Sequence, residues 1–250
     1  INQLIGGEAV SLVVVAPLSV AAGALWLRGQ KAAASLALAP SLYALYTYTT
    51  EIVGAQYRRY PGNSEYFLPL SLGLLAVSGA IAVAAIATLK NGSSPVLGRR
   101  SRVAAAATLL APNALFALAW LAQLAAYTSG QRSQAYLDDP ILWWLTKALD
   151  LGIVIPVSVA AGIGMLRSRP LATTMAAGLT GFLACLVGSV GAMGAVQMAK
   201  HDPSASPAFV VVGMVIGLAA AGVSVHLLRA TNTHDTYSPR EIVAASQPVG

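Results

Sequence analysis

Seven stretches of this chain, roughly 8–27, 32–54, 67–89, 103–127, 141–166, 171–198 and 208–228, stay apolar for about 20 residues, enough to cross a hydrocarbon core. No other feature limits the fold as tightly. Lipid offers no hydrogen-bond partner to a backbone N–H or C=O, so a spanning segment must satisfy its own backbone as a helix or close with others into a barrel. The runs here are continuous rather than alternating, which argues against barrel strands. We therefore expect an all-α integral membrane domain over residues 1–229 and a polar tail over 230–250. Charged residues make up 10% of the chain, against about 25% in soluble domains, and little material remains for a separate soluble domain.

A repeat refines the topology. Residues 17–28 read PLSVAAGALWLR and residues 156–167 read PVSVAAGIGMLR, the same pattern without a gap at an offset of 139. Extending it pairs the first apolar stretch with the fifth, the second with the sixth and the third with the seventh. Tyr43 then falls on Phe182, and at an offset of 142 Tyr60-Pro61 falls on Asp202-Pro203, Ser64 on Ser206 and Phe67 on Phe209. The fourth stretch has no mate. The expected architecture is a three-helix repeat (8–89), a linker helix (103–127) and a second three-helix repeat (141–228). First and fifth helices cross in the same direction, so the two repeats are parallel and their axis runs along the membrane normal.

Charge sets the expected orientation. Ten basic residues fall in alternate connections and the tail (Arg28, Lys31, Lys90, Arg99, Arg100, Arg102, Arg167, Arg169, Arg229 and Arg240), and four in the others (Arg58, Arg59, Arg132 and Lys200). The richer set marks the cytoplasmic side, with the N-terminus outside. The net charge of +6 reads as this loop asymmetry rather than as a nucleic-acid surface. The first stretch has no basic segment ahead of it, so it reads as a spanning helix and not a cleavable leader.

Charged side chains within the stretches are few, and each is a default site hypothesis. Glu51 lies in a tyrosine-rich second helix with Tyr43, Tyr46 and Tyr48, and about 10 Å below Arg58 at 1.5 Å per residue. Either it binds a solute or a proton, or it makes a structural hydrogen bond within a tyrosine girdle. Lys147 and Asp150 stand three apart on one face of the fifth helix. The repeat sets Lys147 against Glu8, so a cross-axis ion pair is one expectation. The other is Lys147 snorkelling outward past an interfacial Trp143 and Trp144. Glu51, Tyr46, Tyr48, Lys147 and Asp150 are the candidates for solute binding or proton coupling.

Asn113 follows Pro112 and is expected to satisfy a carbonyl freed by a proline kink. Pro17 and Pro156 are expected to bend their helices at equal depth, as hinges or as static kinks. Gly188, Gly191 and Gly194, with Gly213 and Gly217, allow close helix contact, inside the bundle or with a protein partner. Cys185 reads as a small buried apolar residue. No Cys/His spacing suggests a metal, no histidine pair suits haem, and no Gly-rich phosphate loop or nucleophile elbow occurs. The seventh stretch lacks the lysine that a retinal chromophore requires. No cofactor is expected. The carboxylates permit an intramembrane enzyme, but nothing calls for one.

Two runs carry a family resemblance: LWLRGQKAAASLALAPSLYALYTYTTEIVGAQ followed by FLPLSLGLLAVSG, and LDLGIVIPVSVAAGIGMLRSRP. They resemble a group of uncharacterised bacterial, notably actinobacterial, polytopic membrane proteins, which implies a plasma membrane and no particular chemistry. In architecture alone the chain is similar to the SWEET sugar transporters, with their parallel three-helix repeats and linker helix; their sequence motifs are not evident here. Two functions fit. One is binding or transport of a small solute through a polar cavity on the outer half. The other is a non-catalytic subunit of a larger membrane complex, docking through the glycine faces or the tail.

Overall fold

The computed structural model describes residues 2–54, 65–92, 94–202 and 205–233. Arg58, Arg59, Tyr60, Pro61, Ser64, Pro203 and the tail from His234 lie outside the described residues, as do the expectations placed on them.

The chain begins with α1 (Asn2–Val10), a π-helical turn (Ser11–Val15) and α2 (Ala16–Leu27), which run on as one rod. α3 (Ala32–Gly54), α4 (Leu68–Asn91) and α5 (Arg99–Thr128) follow. A short α6 (Gln134–Asp138) leads into α7 (Pro140–Leu149), a second π-helical turn (Asp150–Val154) and α8 (Ile155–Leu166). α9 (Pro170–Ala199) and α10 (Pro207–Thr233) complete the bundle. No strand occurs among the described residues.

Six of these helical rods are long and apolar enough to cross a membrane: Leu4–Leu27, Leu68–Asn91, Arg99–Thr128, Pro140–Leu166, Pro170–Ala199 and Pro207–Thr231. The protein is therefore a polytopic, all-helical membrane protein. Leu12, Val20, Val83, Leu118 and Leu218 are largely exposed on the outside of the bundle, where lipid replaces water as solvent. The expected second span forms as α3 but is not one of the six. Its 23 residues reach about 34 Å at 1.5 Å each, yet Ser41, Thr47, Thr49, Thr50 and Glu51 lower its apolarity. It compensates by burial: Ala34, Leu38, Ala39 and Tyr43 are 3% exposed or less.

Residues 139 apart repeat their local backbone geometry. In each π-turn the N–H that follows bonds five residues back, Ala16 to Ser11 and Ile155 to Asp150. A proline comes next, Pro17 and Pro156. Proline cannot donate to the ladder and its ring crowds the carbonyl four residues back; a widened turn ahead of it relieves both problems. Further on, α2 and α8 end in the same wrap. Gly29 (φ 66) and Ser168 (φ 55) both take the left-handed conformation. Gln30 N–H reaches Leu25 O, and Arg169 N–H reaches Gly164 O. In the mate helices, Ser41 Oγ donates to the carbonyls of Ala37 and Leu38, and Thr180 Oγ1 to those of Ala176 and Ala177.

α3 and α9 form the centre and touch each other through mate positions. Ser35 Oγ donates to Thr174 O at 3.4 Å. Gly178 meets Leu38 and Ser35, Gly181 meets Ala39, and Tyr43 clusters with Phe182 and Cys185. Contacts advance along both helices together, so α3 and α9 run parallel. α1 runs against α9, with Gly6 on Met193 and Val15 near Phe182 and Cys185. α7 runs against α3, with Leu142 on Gly54 and Asp150 on Tyr46. α4 packs antiparallel on α3 (Ala34, Leu38, Ala82, Ala85 and Leu89), and α10 on α9 (Gly191 to Gly213, Ala177 to Ser224).

The glycine stripes of α9 and α10 face each other. A Cβ at Gly213 would stand 2.6 Å from Gly191 N, and one at Gly217 3.0 Å from Gly188 Cα. At Gly191, Gly213 and Gly217 these faces are covered within the chain. Cys185 is buried, as its apolar setting suggests. Asn113 is also buried, but its Nδ2 donates to Leu109 O at 2.8 Å. The carbonyl that Pro112 leaves without a donor is Thr108's, four residues back, so the amide satisfies its own turn instead.

One end of the bundle collects the connections richest in basic residues. Leu97, Ala105, Met165, Ala176 and Leu227 form a single cluster there, beside an Arg102–Ser168 hydrogen bond and a Ser101–His226 contact of 3.0 Å.

Candidate functional site

The candidates fall into two places separated by the body of α3. At about 100° per residue, Thr47, Tyr48 and Glu51 share one arc of α3, and Tyr46 points nearly the opposite way. The π-turn at Asp150 brings its carboxylate to the Tyr46 side. Asp150 Oδ1 accepts from the Tyr46 hydroxyl at 3.0 Å, and Oδ2 accepts from Trp120 Nε1 of α5 at 2.7 Å. The Trp120 bond is the shorter, at the length of a charge-assisted contact.

One turn earlier Lys147 is 4% exposed. Its Nζ sits 3.9 Å from the Trp143 ring centre and 4.2 Å from that of Trp120. Two indole faces thus hold the ammonium, a contact worth about 2 kcal/mol when desolvated. This carboxylate, ammonium and aromatic group ties α3, α5 and α7 together. Each carboxylate oxygen of Asp150 accepts one hydrogen bond from within the chain, which suits a structural lock.

Neither expectation for Lys147 matches this geometry. The ammonium does not snorkel: it turns inward, and Trp143, only 6% exposed, shields it. Nor does Glu8 pair with it. The helices that touch their own mates are α3 and α9, whereas α1 packs on α9 and α7 on α3. Positions 8 and 147 stand 139 apart in the chain but are not neighbours.

Glu8 lies instead on the other side of α3, with Glu51. Glu8, Ser11, Leu12 and Ala16 from the first rod and Thr47, Tyr48 and Glu51 from α3 line a groove of about 320 Å³. Its back wall is braced by Tyr43. Ser11 Oγ donates to Gly7 O at 3.0 Å and to Tyr43 Oη at 3.3 Å, and Tyr43 Oη donates to Gly7 O at 3.3 Å. Two carboxylates, two hydroxyls and a phenol face one opening, and among the described residues no basic side chain lines it. Such a set accepts hydrogen bonds and favours positive charge.

Sequence reasoning found Glu51, Tyr48, Tyr46, Lys147 and Asp150 because ionisable groups within apolar runs stand out. It missed Trp120 as the second donor to Asp150, and Thr47 and Ser11 as groove residues. Nothing along the sequence relates Trp120 to Asp150, since they meet only through the packing of α5 on the second π-turn.

Where α5 meets α6 and α7, the rings of Tyr127, Tyr136, Trp143 and Trp144 pack with centres 4.9–5.5 Å apart. The Arg132 guanidinium lies 3.8 Å over Tyr127. The Tyr136 hydroxyl is held above the ordinary phenol range, first by its hydrogen bond with the Tyr127 hydroxyl and then by burial.

Comparison of the chain with protein-family models, with curated proteins and with solved structures finds no match. The functional reading rests on the two sites just described.

Proposed function

We propose that this protein binds, and moves across the plasma membrane, a small solute carrying positive charge or several N–H donors, which enters the groove between its first two helices. In this reading α3 is a seventh span. Residues 8–89 and 141–228 are like-oriented three-helix units about α5, related by an axis along the membrane normal. The N-terminus and the groove face outward; the basic end and the tail face the cytoplasm. The shared backbone geometry at an offset of 139 supports the repeat, as do the parallel contacts of α3 and α9 at mate positions. The gathering of basic connections at one end supports the orientation.

The observation that carries the function is the groove itself: Glu8 and Glu51 share one polar opening, and among the described residues no cation lines it. A carboxylate at membrane depth calls for a counter-charge, water or a proton, and a cationic solute supplies the first. Binding of guanidinium, choline and ammonium chlorides to the purified full chain, followed by intrinsic fluorescence during thermal unfolding, tests it. At least one salt raises the midpoint beyond a sodium chloride control. Glu51→Gln weakens the apparent affinity about tenfold, the scale of one charge-assisted contact, and keeps the fold. Affinity unchanged from the parent protein in both Glu51→Gln and Glu8→Gln removes the site.

A further inference from the structure

Beneath the α5–α6 connection lies a second cavity, of about 150 Å³, lined by Gln123, Ala126, Tyr127, Gln131, Arg132, Ser133 and Trp143. It is distinct from the acidic groove and opposite to it in chemistry. The side chains of Gln123, Gln131, Arg132, Ser133 and Trp143 all carry N–H or O–H donors, and no carboxylate lines the space. Asp138 and Asp139 are close in sequence but engaged elsewhere. Asp138 Oδ1 accepts from Gln134 Nε2 at 2.8 Å, and Asp139 Oδ1 caps α7 through Leu142 N–H at 2.9 Å.

A further observation points to a ligand. Arg132 directs Nη1 to the carbonyls of Tyr127 and Gln131 at 2.6 and 3.4 Å. The Tyr127 ring holds the same guanidinium in place, 3.8 Å from its centre. A guanidinium set on an aromatic face beside amide donors is suited to planar, charge-assisted recognition of oxygen anions.

We propose that this cavity binds an oxyanion, a phosphate or carboxylate group, with Arg132 as its charge partner and Gln123, Gln131 and Ser133 as hydrogen-bond donors. The space admits one such group and little more. Its place at the end of α5, within the Tyr127, Tyr136, Trp143 and Trp144 cluster, is where aromatic side chains meet lipid headgroups. The anion can therefore come from a lipid headgroup or from solution.

The test uses the purified full chain in a neutral detergent, with thermal unfolding and tryptophan emission as readouts. The probes are inorganic phosphate, acetate and dihexanoyl-phosphatidylglycerol, and dihexanoylglycerol is the uncharged control. An oxyanion probe raises the unfolding midpoint and shifts the emission. Arg132→Gln, a change at an exposed position, weakens the apparent affinity about tenfold. A response to phosphatidylglycerol alone assigns the site to a lipid headgroup, and a response to phosphate or acetate assigns it to a soluble anion. Folded protein that responds to none of the three, or equally to dihexanoylglycerol, overturns the proposal, as does unchanged affinity in Arg132→Gln. Glu51→Gln leaves this response intact, so failure here is separable from failure of the groove.

Discussion

Asp150 has two donors and one nearby cation, and each can be removed singly. Tyr46→Phe takes away the 3.0 Å bond and keeps the ring; Trp120→Phe takes away the 2.7 Å bond and keeps a face for Lys147. Hydrogen bonds between membrane helices contribute about 1 kcal/mol, and those to charged groups somewhat more. We expect each variant to lose about 1–2 kcal/mol and the double variant to depart from the sum, because the two donors share one carboxylate. Reversible unfolding of the three variants in mixed micelles measures the coupling. Strict additivity would show that the two bonds act independently and that the lock is no unit.

At the scale of helices, the decisive contacts are backbone to backbone. α9 and α10 approach so closely at Gly191 and Gly213 that a methyl at 213 would meet backbone atoms at 2.6 and 2.7 Å. Flexible side chains can step aside, but a helix backbone cannot, so Gly213→Ala must spread the two helices and lose dispersion contacts along both. Gly222 lies on the same helix with nothing within 4 Å of its would-be Cβ. There Gly→Ala is neutral, or stabilising by up to about 1 kcal/mol through helix propensity. The expected result is a fall in the thermal midpoint for Gly213→Ala and none for Gly222→Ala. Similar falls in both would mean that the stripe is not the contact. The π-turns belong to this scale too. Each shifts the rotational phase of its rod, and the second sets Asp150 toward Tyr46 and Trp120.

For the whole molecule, the test is whether the two halves share one direction about their centre. An ideal Cβ at Gly178 would stand 2.8 Å from Leu38 Cβ and 2.9 Å from Ser35 O, closer than the roughly 3.5–4.5 Å of bridged cysteines, so a bridge between these positions also requires the two helices to part by about an ångström. In a Cys185→Ser background, Leu38→Cys with Gly178→Cys is expected to cross-link under mild oxidation, whereas Tyr48→Cys with Gly178→Cys is not. Cross-linking of the second pair instead would contradict the parallel register of α3 and α9.

Much of this architecture was legible in the residues. Continuous apolar runs specify helices, because a backbone in lipid must bond to itself. The phrase repeated at 17–28 and 156–167 marked the positions where the backbone geometry also repeats. Those are local matters, settled within five residues of chain. The glycine triplet and GxxxG spacing announced close contact but not with what, and only packing showed that the two stripes cover each other.

The sites divide along the same line. An ionisable residue in an apolar run is conspicuous anywhere, so Glu51, Lys147 and Asp150 could be named from the chain alone. Their partners could not. Which residue a side chain meets depends on the rotation of its helix and on neighbours a hundred residues away. Tertiary structure alone turned Lys147 from Glu8 to Trp120 and Trp143, gave Asp150 to Tyr46 and Trp120, and placed Glu8 with Glu51. The sequence by itself determined where the helices form, where their phase changes and which ends carry positive charge; packing decided which of their faces meet, because burial and close approach are properties of pairs of helices and not of any one of them.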